Sequence, residues 1–480
     1  MFFETRRFVR LACILFALVS AIAPLFAQES NTAAPSPDPQ IAAALSNVSA
    51  TQVQRNIETL AGFYTRQTLS SGIPGMSNDK GIDAAREWIE GEFHKYSSQC
   101  GECLEVKTDQ FTQPPAPRVP VPTTITNVYA ILRGTDPANA GRIYVVSGHY
   151  DSRNSDTNDA KAQAPGANDD ASGTAVSLEC ARVLSKHRFP ATIIFLTVAG
   201  EEQGLLGSGH FAKVAKAVGW DIEGVLNNDI VGGDRTPGDT LQNPHLVRVF
   251  SEGIPSTASA DEIRKILAQG NQNDGPSRQL ARYVAETGRE YLGGDKFQAM
   301  LVFRPDRFLR GGDHLSFTEQ GYAAVRLTEY RENFNHQHQN VRTEAGTEYG
   351  DLPKFVDYEY TANVARLNAA TLASLAAAPA PPADVHLLTK SLQNDSTLEW
   401  KASPGGLAAG YEVLWRDTTA PEWQHVQAVG SATKATIAVS KDNVIFGRLP
   451  DGDGFVGQVR NRSQCFAKLR VDSVNVLREL

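Results

Sequence analysis

Apolar positions along the chain change period several times. From 41 to about 96 they recur every three to four residues: Ile57, Leu60 and Phe63 share one helical face, and Ala84, Trp88, Ile89 and Phe93 another. Residues 124–132 alternate as a strand does. Residues 142–148 hold the run Ile143-Tyr144-Val145-Val146, which reads as a short buried strand. Residues 191–198, ATIIFLTV, are apolar and β-branched throughout and predict a central strand. Helical patterns over 171–186 and 204–218 alternate with these strands, and 224–230 predicts one more. This alternation predicts an α/β three-layer sandwich with a mixed, largely parallel central sheet.

Residues 233–312 are less regular. They contain a helical stretch at 276–292 and a short strand at 298–303, and read as a long insertion near a substrate site. The core pattern then resumes with a short helix at 313–320, a strand at 323–327 and an Ala-rich helix at 355–377. A Pro/Ala linker at 379–384 follows. Beyond it, 385–480 shows short alternating strands, the pattern of a small all-β sandwich. At the other end, Arg6, Arg7 and Arg10 precede an apolar run from 11 to 26, and Ala27 is a plausible cleavage point. That run is short for a membrane span and contains Pro24, so residues 1–27 read as a removable export signal. Residues 28–40 read as a flexible tether, leaving 41–378 as the main domain.

The chain has 480 residues, 41% of them hydrophobic and 21% charged, which suits a multidomain globular protein. A net charge of −8 argues against a nucleic-acid partner. An exported, periplasmic or secreted protein without a membrane partner after signal cleavage is expected, with a monomer favoured. In that setting Cys100 and Cys103 have the spacing for a small disulfide; a redox motif or half a metal site is the sharper alternative. Cys180 falls on an apolar helical face and reads as packing.

Chemistry-bearing side chains gather just past the predicted strand ends. His149 and Asp151 follow one strand, Glu201 and Glu202 the next, and Asp229 ends a third. Asp169 and Asp170 close a polar loop before a helix, and His336 and His338 lie in a polar loop after the last strand. Open α/β sheets bind ligands at such strand ends. Mixed imidazole and carboxylate donors suit zinc, and a bridging carboxylate lets two ions share one water. Singly, each of these groups also fits a surface hydrogen bond, a helix cap or turn chemistry.

At these residues the chain resembles the M28 family of co-catalytic zinc aminopeptidases. The matching motifs are SGHYDS at 147–152, PGANDDASG at 165–173, AGEEQGLLGS at 199–208, NND at 227–229 and NFNHQHQN at 333–340. They stand in the family's order, and the resemblance covers roughly residues 45–378. It implies two zinc ions. His149 and Asp229 would hold the first, Glu202 and His336 the second, and Asp169 would bridge them. Glu201 would be the general base, and Asp151 would fix the His149 tautomer. In the family's spacing an acidic residue follows the His by four places. That selects His336, with Asn340 in the acidic place; His338 fits less well and stays open. A cis peptide between Asp169 and Asp170 is also implied.

The expected activity is removal of N-terminal residues from peptides. A related amide hydrolase such as a carboxypeptidase, a single-zinc cyclotransferase, or a metal-dead binding protein are the alternatives, and manganese or cobalt in place of zinc stays open. His314 is expected to be structural. Arg304, Arg307 and Arg310 either line the pocket, favouring acidic substrates, or form a solvated loop. The C-terminal β region resembles a fibronectin type III module, with Trp400 and Tyr411 in its core.

Overall fold

The computed structural model describes residues 37–294, 296–308, 310–390 and 392–446, together with the backbone of 466–469. The expected export signal, most of the tether, Cys465 and the irregular stretch after Phe446 lie outside the described residues. The described chain begins with helices α1 (Pro39–Leu45), α2 (Ala50–Gly62) and α3 (Gly81–Gln99). Then come β1 (Leu104–Gln113), β2 (Thr123–Leu132), β3 (Arg142–His149), α4 (Ala171–Leu184), β4 (Thr192–Val198), α5 (Leu206–Ala217) and β5 (Asp221–Asn228). The body is completed by β6 (Leu246–Ser251), α6 (Ala260–Ala268), α7 (Pro276–Leu292), β7 (Gln298–Val302), α8 (His314–Thr318), β8 (Ala324–Glu329), the hairpin β9 (Arg342–Glu344) and β10 (Thr347–Tyr349), and α9 (Tyr358–Ala377).

Eight strands form one mixed sheet in the order β1-β2-β4-β3-β5-β8-β6-β7. Its four central strands, β4, β3, β5 and β8, are mutually parallel. On one side β2 pairs antiparallel with β4 and β1 with β2; on the other β6 runs antiparallel to β8. The apolar runs divide by the period of two between the two faces of this sheet. Tyr144, Val146, Ile193 and Phe195 pack into the larger core, with residues of α2, α3, α4, α7 and α9. Ile143, Val145, Ile194, Leu196 and Val198 face the opposite way, against Phe211, Ala212 and Ala215 of α5 and Phe317 of α8. Strands this thoroughly buried belong to a three-layer α/β sandwich, as the sequence predicts.

Three regions depart from the sequence reading, although the short strand expected at 298–303 is present as β7. β1 keeps its apolar alternation only at Leu104 and Val106, and five of its ten residues are exposed, so it carries little apolar signal. β6 and β7 lie in the stretch read as an insertion, yet they extend the central sheet, and Val247, Leu280, Val284 and Phe297 of that stretch join the larger core. The Pro/Ala segment read as a linker is packed rather than loose. Ala378 and Ala380 are buried, and Arg142 donates to the Ala378 carbonyl at 2.9 Å.

Beyond α9, β11 (Ala383–Leu388), β12 (Ser396–Lys401) and β15 (Lys434–Ile437) form one small sheet. A second contains β13 (Gly410–Asp417), β14 (His425–Gly430), β16 (Val444–Phe446) and β17 (Phe466–Leu469), with β17 parallel to β13. One apolar cluster joins the two sheets, and in it Trp400 meets Tyr411 edge-on with ring centroids 5.7 Å apart. Arg416 ties this region to the body through Asp274 at 2.6 Å. Cys100 and Cys103 form a disulfide, and Cys180 is buried in the core.

Candidate metal centre

The parallel strands deliver their C-terminal ends to one edge of the sheet. His149 is the last residue of β3 and sits in register with Val198, the last of β4; Asp229 follows the end of β5 directly. Helix α4 starts hard against this edge. A Cβ on Gly148 would lie 2.3 Å from Gly173, and one on Gly173 only 2.1 Å from the Asn228 carbonyl, so both places need glycine for the backbones to meet. Asp170 caps α4 by accepting from Gly173 N–H, and its other oxygen accepts from His149 N–H at 3.0 Å. That pins the polar loop and its Asp169 over the strand end. The Asp169–Asp170 peptide is cis, as the resemblance implies.

Two groups of donors result. In the first, His149, Glu201 and Asp229 bring one ligand atom each to within 4.8 Å of one another; in the second, Asp169, Glu202 and His338 do so. Asp169 lies between them. Its Oδ1 is 3.2 Å from His149 Nε2, and its Oδ2 is 2.8 Å from His338 Nε2. Glu202 Oε1 is 3.0 Å from the same His338 nitrogen.

His336 is not part of this cluster. It is buried with its Nδ1 against the Asp234 carboxylate and its ring stacked on Phe355, centroids 3.6 Å apart. The reason for the difference is a turn. His336 N–H donates to the Asn333 carbonyl, and the chain then takes a left-handed conformation at His338, φ 54°, which swings the second imidazole into the cleft. Asn340, in the acidic place of the motif, accepts instead from Ser155 N–H and Oγ. His314 belongs to neither group; it is buried with its Nε2 at 2.7 Å from the Pro305 carbonyl.

Asp151 holds the first group from behind. Its Oδ1 is 3.3 Å from His149 Nδ1, and its oxygens accept from the N–H groups of Glu201 and Glu202 and from Thr68 Oγ1. Three supports were not foreseen. Asp351 accepts from Asn168 N–H and Asp169 N–H, both at 2.7 Å, and so fixes the bridging loop. The fully buried Arg326 meets Asp229 Oδ1 at 2.8 Å and also pairs with Asp306. Arg153 pairs with Glu202 at 2.8 Å. The one hint in the sequence was Arg326 itself, a cation within the otherwise apolar start of β8.

The electrostatics ask for positive charge at this edge. Burial lowers the His338 imidazolium, but Glu202 and Asp169 outweigh it and hold the group up at about 10. Burial likewise works against a charged His149, and Asp170, Asp151, Asp169 and Asp229 overcome it, so the net direction is well upward. Burial pushes the Glu201 carboxyl well above its usual range; His149 opposes this, while Asp229, Glu202 and Asp313 add to it.

The donors fit a pair of divalent cations. Buried His149 Nε2 and Glu202 Oε1 make no well-aligned hydrogen bond; their near contacts, Asp169 at 3.2 Å and His338 at 3.0 Å, are themselves members of the two donor groups, an arrangement that a bound ion would satisfy. Imidazole nitrogen with carboxylate oxygen is also the donor mixture zinc accepts. Glu201 is near enough to be a third ligand of the first group. Asp169 Oδ1 offers the alternative third oxygen and leaves Glu201 free to move protons.

Comparison with known proteins places the chain in a family. The model of peptidase family M28 matches residues 127–351, which include every residue of both groups. A probable zinc metalloprotease of Leptosphaeria maculans is 46% identical over 416 residues, covering 86% of this chain and 94% of that protein. A probable zinc metalloprotease of Pyrenophora teres f. teres is also 46% identical, covering 86% of this chain and 84% of that protein. Among solved structures, Legionella LapA shares the fold with a TM-score of 0.50 at 18% identity, over 70% of this chain and 76% of that one. The fold, the motif order and relatives matched along most of their length agree, and the chain belongs to peptidase family M28.

Proposed function

We propose that this chain is an exported zinc exopeptidase that removes N-terminal residues from peptides, with Glu201 as general base. The observation that carries the reading is the placement of Asp169, whose two oxygens face two separate imidazole nitrogens, His149 Nε2 and His338 Nε2. A carboxylate so placed suits two ions rather than one. In this reading His149, Asp229 and Asp169 hold one zinc, and Asp169, Glu202 and His338 hold the other. The names of the probable zinc metalloproteases to which the chain is similar support zinc as the metal.

When bound, the zinc pair supplies Lewis acidity to the scissile carbonyl and lowers the pKa of a water beside it. The protein does the rest. Glu201 takes a proton from the attacking water as the oxygen adds to the carbonyl carbon. It then gives that proton to the amine nitrogen as the C–N bond breaks. Asp151 holds the His149 ring through Nδ1, which leaves Nε2 free to ligate.

Export rests on the charged and apolar pattern of residues 1–27, and fractionation of the expressing cells tests it. We read the C-terminal sheets as a fibronectin type III-like module, supported by the Trp400–Tyr411 core contact. The decisive experiment on mechanism is Glu201→Gln. Turnover should fall by at least about a thousandfold while metal content stays near about two ions per chain. Surviving turnover would remove Glu201 from the base role, and a parallel loss of metal would make it a ligand.

A further inference from the structure

The cleft above the two donor groups, about 400 Å³ in volume, is lined by four arginines: Arg118, Arg153, Arg307 and Arg310. Leu205 is the one apolar side chain larger than glycine in its lining. A pocket for an aliphatic or aromatic side chain would be walled by such residues. This one offers charge instead.

The arginines divide into two kinds. Arg307 is committed, with ion pairs to Asp306 and Glu332. Arg153 is shared between Glu202 and His338, where its Nη2 stands 2.6 Å from Nδ1. A cation on His338 Nε2 leaves the ring proton on Nδ1, donor facing donor, so filling the site turns Arg153 away from that nitrogen. Arg118 and Arg310 are exposed, and among the described residues neither guanidinium has a carboxylate partner. Arg118 donates to the Glu202 carbonyl at 3.0 Å, which places it beside the second donor group. Arg310 belongs to the loop whose Gly311 carbonyl accepts from Arg326, the partner of Asp229, which places it beside the first.

The charge balance then decides what enters. With Arg307 already paired to Asp306 and Glu332, Asp169, Glu201, Glu202 and Asp229 face three arginines in the lining, Arg118, Arg153 and Arg310. Adding two divalent cations would leave the cleft lining net positive, and a neutral or cationic side chain does nothing to correct that.

We infer that the cleft selects peptides whose N-terminal residue is acidic, with Arg118 and Arg310 as the residues that recognise its carboxylate. This rests on the exopeptidase reading above. If the enzyme works from the N-terminus, the first residue is the one enclosed, so the carboxylate in the cleft is that residue's side chain. The Glu/Gln pair is the cleanest comparison, because it differs in charge and scarcely in shape. An arginine–carboxylate contact in a partly desolvated cleft supports a preference of roughly tenfold to a hundredfold.

The test uses the full zinc-loaded chain with Glu-, Gln-, Leu- and Lys-4-nitroanilide, and N-acetylated peptides with free C-termini. Glu should exceed Gln in kcat/KM by at least about tenfold. That ratio should fall toward one in Arg118→Gln/Arg310→Gln and shrink with added salt. Arg310→Glu should shift the preference toward Lys. A parent ratio near one, or a ratio the double variant leaves intact, overturns the proposal while sparing the exopeptidase reading. Cleavage of the acetylated peptides alone overturns that reading instead. A second measurement does not depend on turnover. Calorimetry on zinc-loaded Glu201→Gln should show L-glutamic acid α-amide binding at least about tenfold tighter than L-glutamine amide, and the double variant should lose the difference. Equal binding of the two amides also overturns the proposal.

Discussion

His149 and Asp229 hang from the ends of neighbouring parallel strands, whereas His338 hangs from a loop. The His149 side chain is 1% exposed and that of His338 19%. Behind the first group stand Asp151, Arg326 and Asp306, all buried. Beside the second stand Arg153 and Arg118 at the edge of the cleft. The difference separates two ways of placing a ligand. A strand end in a packed sheet fixes a side chain through the core itself, so residues far from the chemistry enforce its position. A loop ligand depends on one local turn and on its immediate partners. The first arrangement gives rigidity, and the second leaves room for a substrate to enter.

The largest expected effect sharpens which histidine serves the open side. His338→Ala should lower kcat/KM by about a thousandfold with loss of metal. His336→Ala should keep activity within about threefold, and lower stability by about 1–2 kcal/mol through the lost stack on Phe355 and the unpaired Asp234. Metal analysis beside urea unfolding reads both, and the opposite pattern would return His336 to the ligand set.

A smaller effect separates the two sides by stability. Arg326→Met leaves Asp229 and Asp306 buried without their cation and should cost about 3 kcal/mol of folding stability. Arg153→Met, at the cleft, should cost less than about 1 kcal/mol. Equal losses in urea titrations would mean that the closed group is no better braced than the open one.

The smallest concerns acid. Burial raises the Asp306 carboxyl, but Arg326, His314 and Arg307 outweigh that and hold it at about 2. Because the folded-state pKa lies below the unfolded one, this stabilisation is complete above about pH 4 and is lost as pH falls toward 2. It amounts to about 2 kcal/mol, so the stability gap between wild type and Asp306→Asn should narrow between pH 6 and pH 3. A gap independent of pH would show that Asp306 acts through packing alone.

What was legible follows from the same contrast. The apolar runs of β3, β4 and β5 predict a buried parallel sheet, and a parallel sheet presents its C-terminal strand ends on one edge. Position in the sequence therefore nearly determines where His149, Glu202 and Asp229 go. The edge strand β1 carries too little apolar signal to be read, because an edge strand need bury only part of its surface, and β6 is a six-residue strand whose apolar run is broken by Arg248. The arginines were visible as residues but not as a set: Arg118 and Arg310 are 192 positions apart, and only folding brings them to one cleft.

The sequence by itself determined the parallel centre of the sheet, the strand-end donors and the loop that carries Asp169, because hydrophobic periodicity and strand direction are local properties with a global consequence. The tertiary structure decided between His336 and His338. Both are imidazoles in one polar loop, and spacing favours His336, which lies outside the donor cluster. The choice is made by Phe355 and Asp234, which take the first ring, and by the left-handed turn at His338, which aims the second at Asp169. Those partners lie far away along the chain or in a backbone angle, so no reading of the loop alone reaches them.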